Sequence, residues 1–208
     1  MTKFLVTGFE PFGQSNINPS EQVVQRLAAT QFEGFAVATA VLPVHRHYGP
    51  KALRTAVQQT NPDAIVCLGE AGGRQAISIE RVAVNLLDYR IADNDGERVQ
   101  DEPIEPDGPA AYFTTLPVRQ LMQAVQAAGI PAELSLSAGT FLCNQVTYDL
   151  LHFLAQQQQN IPAGFVHLPF LPQQAAALPR NYPSMALATM ETAVSTILHT
   201  LNTHLQAN

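Results

Sequence analysis

Apolar positions along this chain follow two alternating rhythms. Short, nearly continuous apolar runs are followed by stretches in which apolar residues return every three or four positions. The first rhythm reads as strand and the second as amphipathic helix. Residues 4–9 predict a first strand. Asn18-Pro19-Ser20-Glu21 then starts a helix with proline in its first turn. Val23, Val24, Leu27 and Ala28 give that helix an apolar face. Residues 35–44 predict a strand and residues 48–60 a helix, which Asn61-Pro62-Asp63 breaks before a buried strand at 64–69.

The alternation continues. Residues 77–87 read as one strand, residues 117–128 as a helix, residues 132–137 as a strand and residues 141–157 as a helix. Residues 163–168 are a strand, and residues 184–205 a closing helix with Met190, Val194, Ile197 and Leu201 on one side. Residues 93–108 and 173–183 read as loops. The first is long for a compact domain, and such loops are often functional. Strand–helix alternation predicts an α/β fold, with a largely parallel central sheet covered on both faces. Its 208 residues suit one domain, spanning 1–208.

Composition narrows the function classes. Hydrophobic residues make up 46% and charged residues 13%, which fits a folded domain and argues against disorder. The formal net charge is −6 and no basic run occurs, which disfavours nucleic-acid binding. No apolar stretch approaches the ~18 residues of a membrane span. The N-terminus lacks the pattern of a secretory signal, so the cytoplasm is the expected location. The two cysteines, Cys67 and Cys143, show neither disulfide-scaffold nor zinc spacing.

The two thiols differ in setting. Cys67 lies inside an apolar strand, where cysteine packs as a small hydrophobe. Cys143 follows Ser137-Ala138-Gly139-Thr140-Phe141-Leu142 and sits in the first turn of a predicted helix. Unpaired backbone N–H groups and the positive end of the helix dipole favour a thiolate there. That points to a nucleophile, which needs a base. His167 ends a strand, where sites of open α/β sheets lie. If the strands before Cys143 and at His167 are parallel neighbours, roughly 5 Å apart, the side chains can meet. His45 and His47 form an H-x-H pair with no completing cysteine or acidic cluster, and read as surface histidines. Glu80, an acid in an apolar-flanked strand, is a candidate to orient the base. An ion pair with Arg81 or Arg74 accounts for it equally well. Asp149 lies nearly two helical turns past Cys143 and is a weaker candidate. The segment Gly69-Glu70-Ala71-Gly72-Gly73-Arg74 allows close backbone approach but is no phosphate-binding motif.

Together these segments resemble pyroglutamyl peptidase type I, the pyrrolidone carboxyl peptidase family of cysteine peptidases. The resemblance rests on Thr7-Gly8-Phe9-Glu10-Pro11-Phe12-Gly13 with Asn18-Pro19-Ser20, and on the Gly69–Arg74 segment continuing to Ile79-Glu80-Arg81 and Asn85. It also rests on Asp88-Tyr89-Arg90-Ile91-Ala92-Asp93-Asn94, on Ser137 to Asn144, and on His167-Leu168-Pro169. It implies a three-layer α/β/α sandwich that removes an N-terminal pyroglutamyl residue from peptides. It assigns Cys143 as nucleophile, His167 as general base and acid, and Glu80 as orienter. It further suggests Arg90 for the oxyanion site, and Phe9, Phe12 and Asn18 for the lactam ring. It implies no metal or cofactor, and a homo-oligomer, often a tetramer. One departure is Glu70, where the family commonly has glutamine; a carboxylate there bears on substrate preference only if it enters the pocket. Two other readings remain: a thiol amidase or acyltransferase acting on another small amide, and a non-catalytic ligand-binding domain with a buried Cys143.

Overall fold

Strands buried on both faces read as near-continuous apolar runs, and the central strands of this protein do, with Thr7, Ser78, Glu80 and His167 as buried polar exceptions. The computed structural model describes residues 1–13 and 15–207. In chain order the elements are β1 (Thr2–Phe9), α1 (Pro19–Ala28), β2 (Phe35–Leu42), α2 (Tyr48–Thr60), β3 (Ala64–Glu70), β4 (Ile77–Glu80) and β5 (Val82–Val84). There follow β6 (Ala111–Phe113), α3 (Val118–Ala127), β7 (Ala132–Ser135), α4 (Leu142–Gln156), β8 (Ala163–Leu168), α5 (Pro172–Ala176) and α6 (Leu187–Gln206). Six strands form one sheet in the order β2-β1-β3-β8-β4-β7.

Alternate side chains of these strands feed two cores. Phe4, Val6, Val66, Leu68, Val166 and Leu168 meet apolar residues of α1, α3 and α6 on one face. Leu5, Ile65, Cys67 and Phe165 meet α2 and α4 on the other. The result is three layers, helices on both sides of the sheet. Cys67 is fully buried among these residues, as its apolar neighbours predicted. Among the described residues, no helix is long and apolar enough to cross a membrane.

Three expectations change. Residues 77–87 are two strands, not one. The chain leaves the main sheet after Glu80, and β5 pairs antiparallel with β6 in a small second sheet. The three-residue β6 was unforeseen because it is too short to display a period. The region expected as a loop at 173–183 begins within α5, and the closing helix starts at Leu187 because Ser184 and Met185 extend alongside Phe170. Most consequential is strand order. β1, β2, β3 and β8 run parallel, but β4 inserts between β8 and β7 and runs antiparallel to β8. The strand before Cys143 is therefore not a parallel neighbour of the strand carrying His167.

The start of α1 follows the expected cap. Asn18 is fully buried. Its Oδ1 accepts from Ser20 N at 3.0 Å and Ser20 Oγ at 2.8 Å, and its Nδ2 donates to Glu10 O at 3.0 Å. Ser20 Oγ in turn accepts from Phe9 N at 2.9 Å, so cap and strand end are locked together. Asn18→Ala is expected to cost about 1–2 kcal/mol in a urea unfolding titration, by loss of the cap and orphaning of buried partners. An unshifted midpoint would contradict this account.

Candidate active site

The site forms where β3, β4 and β8 meet the start of α4. On β8, Phe165 and His167 point to the same face, two residues apart. Ser78 of β4 stands opposite His167, and Glu80 follows on that same face. The antiparallel register thus lays Glu80 beside the histidine: His167 Nδ1 lies 2.7 Å from Glu80 Oε1. Both are almost sealed from water, at 3% and 1% exposure. A carboxylate only accepts, so Nδ1 carries the proton and Nε2 is left as the base.

The nucleophile candidate arrives from a separate segment. Gly139, with φ of 78°, turns the chain after β7 in a conformation that suits glycine. Cys143 is then the second residue of α4. Its sulfur rests on Gly69: a Cβ built there would lie 2.9 Å from Sγ and 2.6 Å from the Phe165 ring. Gly69 is the register partner of His167 across the β3–β8 ladder. The structure therefore brings Cys143, His167 and Glu80 to one place, although by a route other than adjacent parallel strands. The two residues after Cys143 pin its helix turn. Asn144 accepts from Val84 N and donates to the carbonyls of Val84 and Leu86, at 2.9 to 3.1 Å. Gln145 donates to Arg46 O at 2.8 Å and accepts from the Tyr89 hydroxyl.

Electrostatics reverse one expectation. The helix start was expected to lower the Cys143 pKa, yet it is pushed up to about 12. Desolvation is the largest cause, followed by the charges of Glu80 and Glu70; Arg74 and the residue's own backbone N–H oppose them. His167 is lowered from its usual value, chiefly by burial and against the pull of Glu80. For Glu80, burial favours protonation. The hydrogen bond and charge of His167, the nearby Ser135 hydroxyl and Arg74 outweigh it, so its pKa falls below the usual range. At neutral pH the site holds a thiol, a neutral imidazole and a carboxylate.

The remaining candidates take varied positions. Phe9 is buried, with its ring centroid 6.4 Å from that of Phe165. Phe12 is half-buried, 6.1 Å from Phe141. The Glu70 side chain is engaged: Oε2 accepts from Gln174 Nε2 at 2.6 Å, and Gln174 also reaches Ser15 Oγ and Ile17 O. Burial raises the Glu70 pKa against that hydrogen bond. Asn18 spends its side chain on the α1 cap. Arg90 is exposed and makes no hydrogen bond or ion pair among the described residues. His45 is not a surface histidine. It is 8% exposed and caps α2, its Nδ1 accepting from His47 N and Tyr48 N. Among the described residues no group of three His, Cys, Asp or Glu side chains is arranged to hold a metal ion.

Sequence reasoning did not single out Phe141, Phe165 or Gln174. The two phenylalanines had a signal, each standing two residues before a chemically interesting one; Gln174, in an Ala/Pro/Gln stretch, had none. Arg74 was left as one of two ion-pair partners for Glu80. The structure chooses it, at 2.7 Å from Glu80 Oε1.

Known proteins resemble this chain in sequence and fold. The model of the pyroglutamyl peptidase family matches residues 2–204. A pyrrolidone-carboxylate peptidase of Gloeobacter violaceus is 49% identical over 199 residues, covering 96% of each chain. Another, from Streptomyces coelicolor, is 47% identical over 86% of this chain and 85% of its own. Among solved structures, the pyrrolidone carboxyl peptidase of Thermococcus litoralis superposes with a TM-score of 0.95 at 39% identity, covering all of this chain and 96% of that one. The pyroglutamyl peptidase I of Bacillus amyloliquefaciens gives 0.93 at 37% identity, over 97% and 95%.

Two outcomes follow from the geometry. Gly69→Ala is expected to displace the sulfur or the Phe165 ring and change the rate of Cys143 alkylation by iodoacetamide measurably. A wild-type rate would mean that the sulfur does not rest on Gly69. In the unsubstituted protein, alkylation should keep rising through pH 9, because the thiol pKa is raised. A plateau with a midpoint below pH 7 would instead show a resting thiolate.

Proposed function

This chain belongs to the pyroglutamyl peptidase family, and on that premise we propose that it removes an N-terminal pyroglutamyl residue from peptides through a Cys143 thioester. The observation that carries the roles is the buried Glu80–His167 hydrogen bond beside a sulfur that rests on the histidine's register partner. The neutral imidazole takes the thiol proton at Nε2 as Sγ adds to the carbonyl carbon. The C–N bond then breaks, and His167 passes that proton to the leaving amine. Water adds to the thioester, giving a proton to His167; the C–S bond breaks and the proton returns to sulfur. Glu80 keeps the ring in the required tautomer and offsets the transient imidazolium charge.

The oxyanion needs donors at the position where charge develops. The first backbone N–H groups of α4 have no intrahelical partner and supply them, worth roughly 3–4 kcal/mol of barrier per well-placed donor. Arg90, exposed and without a hydrogen bond or ion pair among the described residues, is the cation the family resemblance assigns to the oxyanion. Phe9 and Phe12 line the ring-binding side, with Phe165 and Phe141 behind them. Asn18 and Glu70 shape that side through the α1 cap and the Gln174 contact. A flat, neutral lactam suits aromatic walls. The ammonium of an ordinary N-terminus loses its hydration there, at a cost of several kcal/mol.

Turnover of a pyroglutamyl anilide tests the reading. The unsubstituted protein should hydrolyse it, and free-amine aminoacyl anilides should be poorer substrates by about 100-fold or more. Cys143→Ala should lower kcat/KM by about 10⁴-fold or more. The acid limb of kcat/KM should lie below pH 6.5, since His167 must be deprotonated to act as base and its pKa is lowered. Undiminished turnover by Cys143→Ala would remove the thiol from the chemistry.

A further inference from the structure

We propose that Arg74 is a positioning residue of this site, whose guanidinium fastens the Glu80–His167 pair to the turn that delivers Cys143. The inference rests on the hydrolytic reading above and extends it to a residue with no part in bond making. Arg74 Nη1 donates to Glu80 Oε1 at 2.7 Å, the same oxygen that accepts from His167 Nδ1. Its Nη2 donates to Ser137 O at 2.8 Å. Ser137 opens the glycine turn between β7 and α4. Inside that turn, Gly139 N donates to Ser137 Oγ at 3.1 Å and Thr140 Oγ1 donates to Asp88 O at 2.7 Å. One planar fork therefore ties the end of β4 to the chain just beyond the end of its neighbour β7, where the approach to α4 begins.

The alternatives for this role are absent. Arg81, next to Glu80 in sequence, makes only backbone hydrogen bonds among the described residues, with Ser135 and Thr114. Among the described residues Glu80 Oε2 has no hydrogen-bond partner, and the donors His167 Nδ1 and Arg74 Nη1 meet at Oε1. Removing Arg74 leaves the carboxylate with His167 and the nearby Ser135 hydroxyl, a looser hold that lets it rotate and the imidazole turn with it. It also leaves Ser137 O with only the longer hydrogen bond from Ser135 Oγ, at 3.2 Å, loosening the segment that sets the height of the sulfur above Gly69.

Charge gives Arg74 a second effect. The ionisable groups around His167 are Glu80 on β4, Cys143 on α4, Glu70 at the end of β3, and Arg74 itself. Glu80 favours a proton on both sulfur and imidazole, and Glu70 on the sulfur. Arg74 opposes them at both places. Without it, His167 keeps its proton to higher pH and the thiol is harder to ionise. Loss of the cation moves these titrations whatever its role, so the sign of positioning is a variant that keeps the charge and the acid limb yet recovers only part of kcat.

The test uses Arg74→Gln and Arg74→Lys in the full chain. It reads kcat and KM on a pyroglutamyl anilide, the pH dependence of kcat/KM, and iodoacetamide alkylation of Cys143 without substrate. Arg74→Gln should lower kcat about 10- to 100-fold, as expected for misplaced reacting groups, with KM within about twofold. Its acid limb should move to higher pH, and alkylation at pH 7 should slow. Arg74→Lys keeps the charge but cannot fork to both acceptors. It should hold the acid limb near its original position while restoring only part of kcat, and it serves as the variant of record if the Gln form does not fold. An acid limb and kcat unchanged in both variants, with only thermal stability lowered, would overturn the proposal. Should the unsubstituted protein fail to hydrolyse the anilide, the hydrolytic reading falls. Alkylation then still decides on Arg74: a slower rate in the Lys variant supports it, and an unchanged rate refutes it.

Discussion

A carboxylate at 1% exposure is the constraint around which this site is organised. An ion so deeply withdrawn from water must be held by donors, and stripping a partner from such a pair typically costs about 3–5 kcal/mol. Glu80 meets that requirement with His167 and Arg74 on a single oxygen. The sheet supplies the geometry. Reversal of β4 against β8 sets Ser78 opposite His167, and the two-residue period then places Glu80 alongside it. The departure of the chain into β5 immediately afterwards makes Glu80 the last side chain of β4, at the strand end where the glycine turn passes.

Cys143, the proposed nucleophile, is held by a complementary strategy. No side chain caps the start of α4. Its position is instead set by Asn144 and Gln145, whose amides reach across to the 84–86 strip, Arg46 and Tyr89. Each is buried, and each uses both its donor and its acceptor. Dipoles fixed in advance need little reorganisation when negative charge develops beside them, which is the basis of oxyanion stabilisation. The aromatic rings behind the sulfur bring dispersion and low polarity without competing hydrogen bonds.

Much of this architecture was legible in the linear chain, for identifiable reasons. Tyr48–Thr60 and Ala163–Leu168 matched their expected bounds, because helical and strand periodicity ended at sharp breakers. Cys143 stood out through the glycine turn before it. Strand order did not, since an apolar run of four residues such as Ile77–Glu80 carries no sign of its direction. Nor could the thiol's protonation be read: its sign depends on Glu70 and Glu80, brought in from distant segments, and on burial that only packing creates. The choice of Arg74 over Arg81 is tertiary in the same sense. Both lie near Glu80 in sequence, and only the fold decides which guanidinium faces it.

The raised thiol pKa has a consequence apart from peptide hydrolysis. Peroxide attacks thiolates far faster than thiols, so susceptibility to sulfenic acid formation follows thiolate character. A sulfur that surrenders its proton only when a nearby imidazole accepts it spends nearly all its time in the oxidation-resistant form. Desolvation and the carboxylates of Glu80 and Glu70 thus favour the thiol over the thiolate at Cys143, and with it resistance to oxidation.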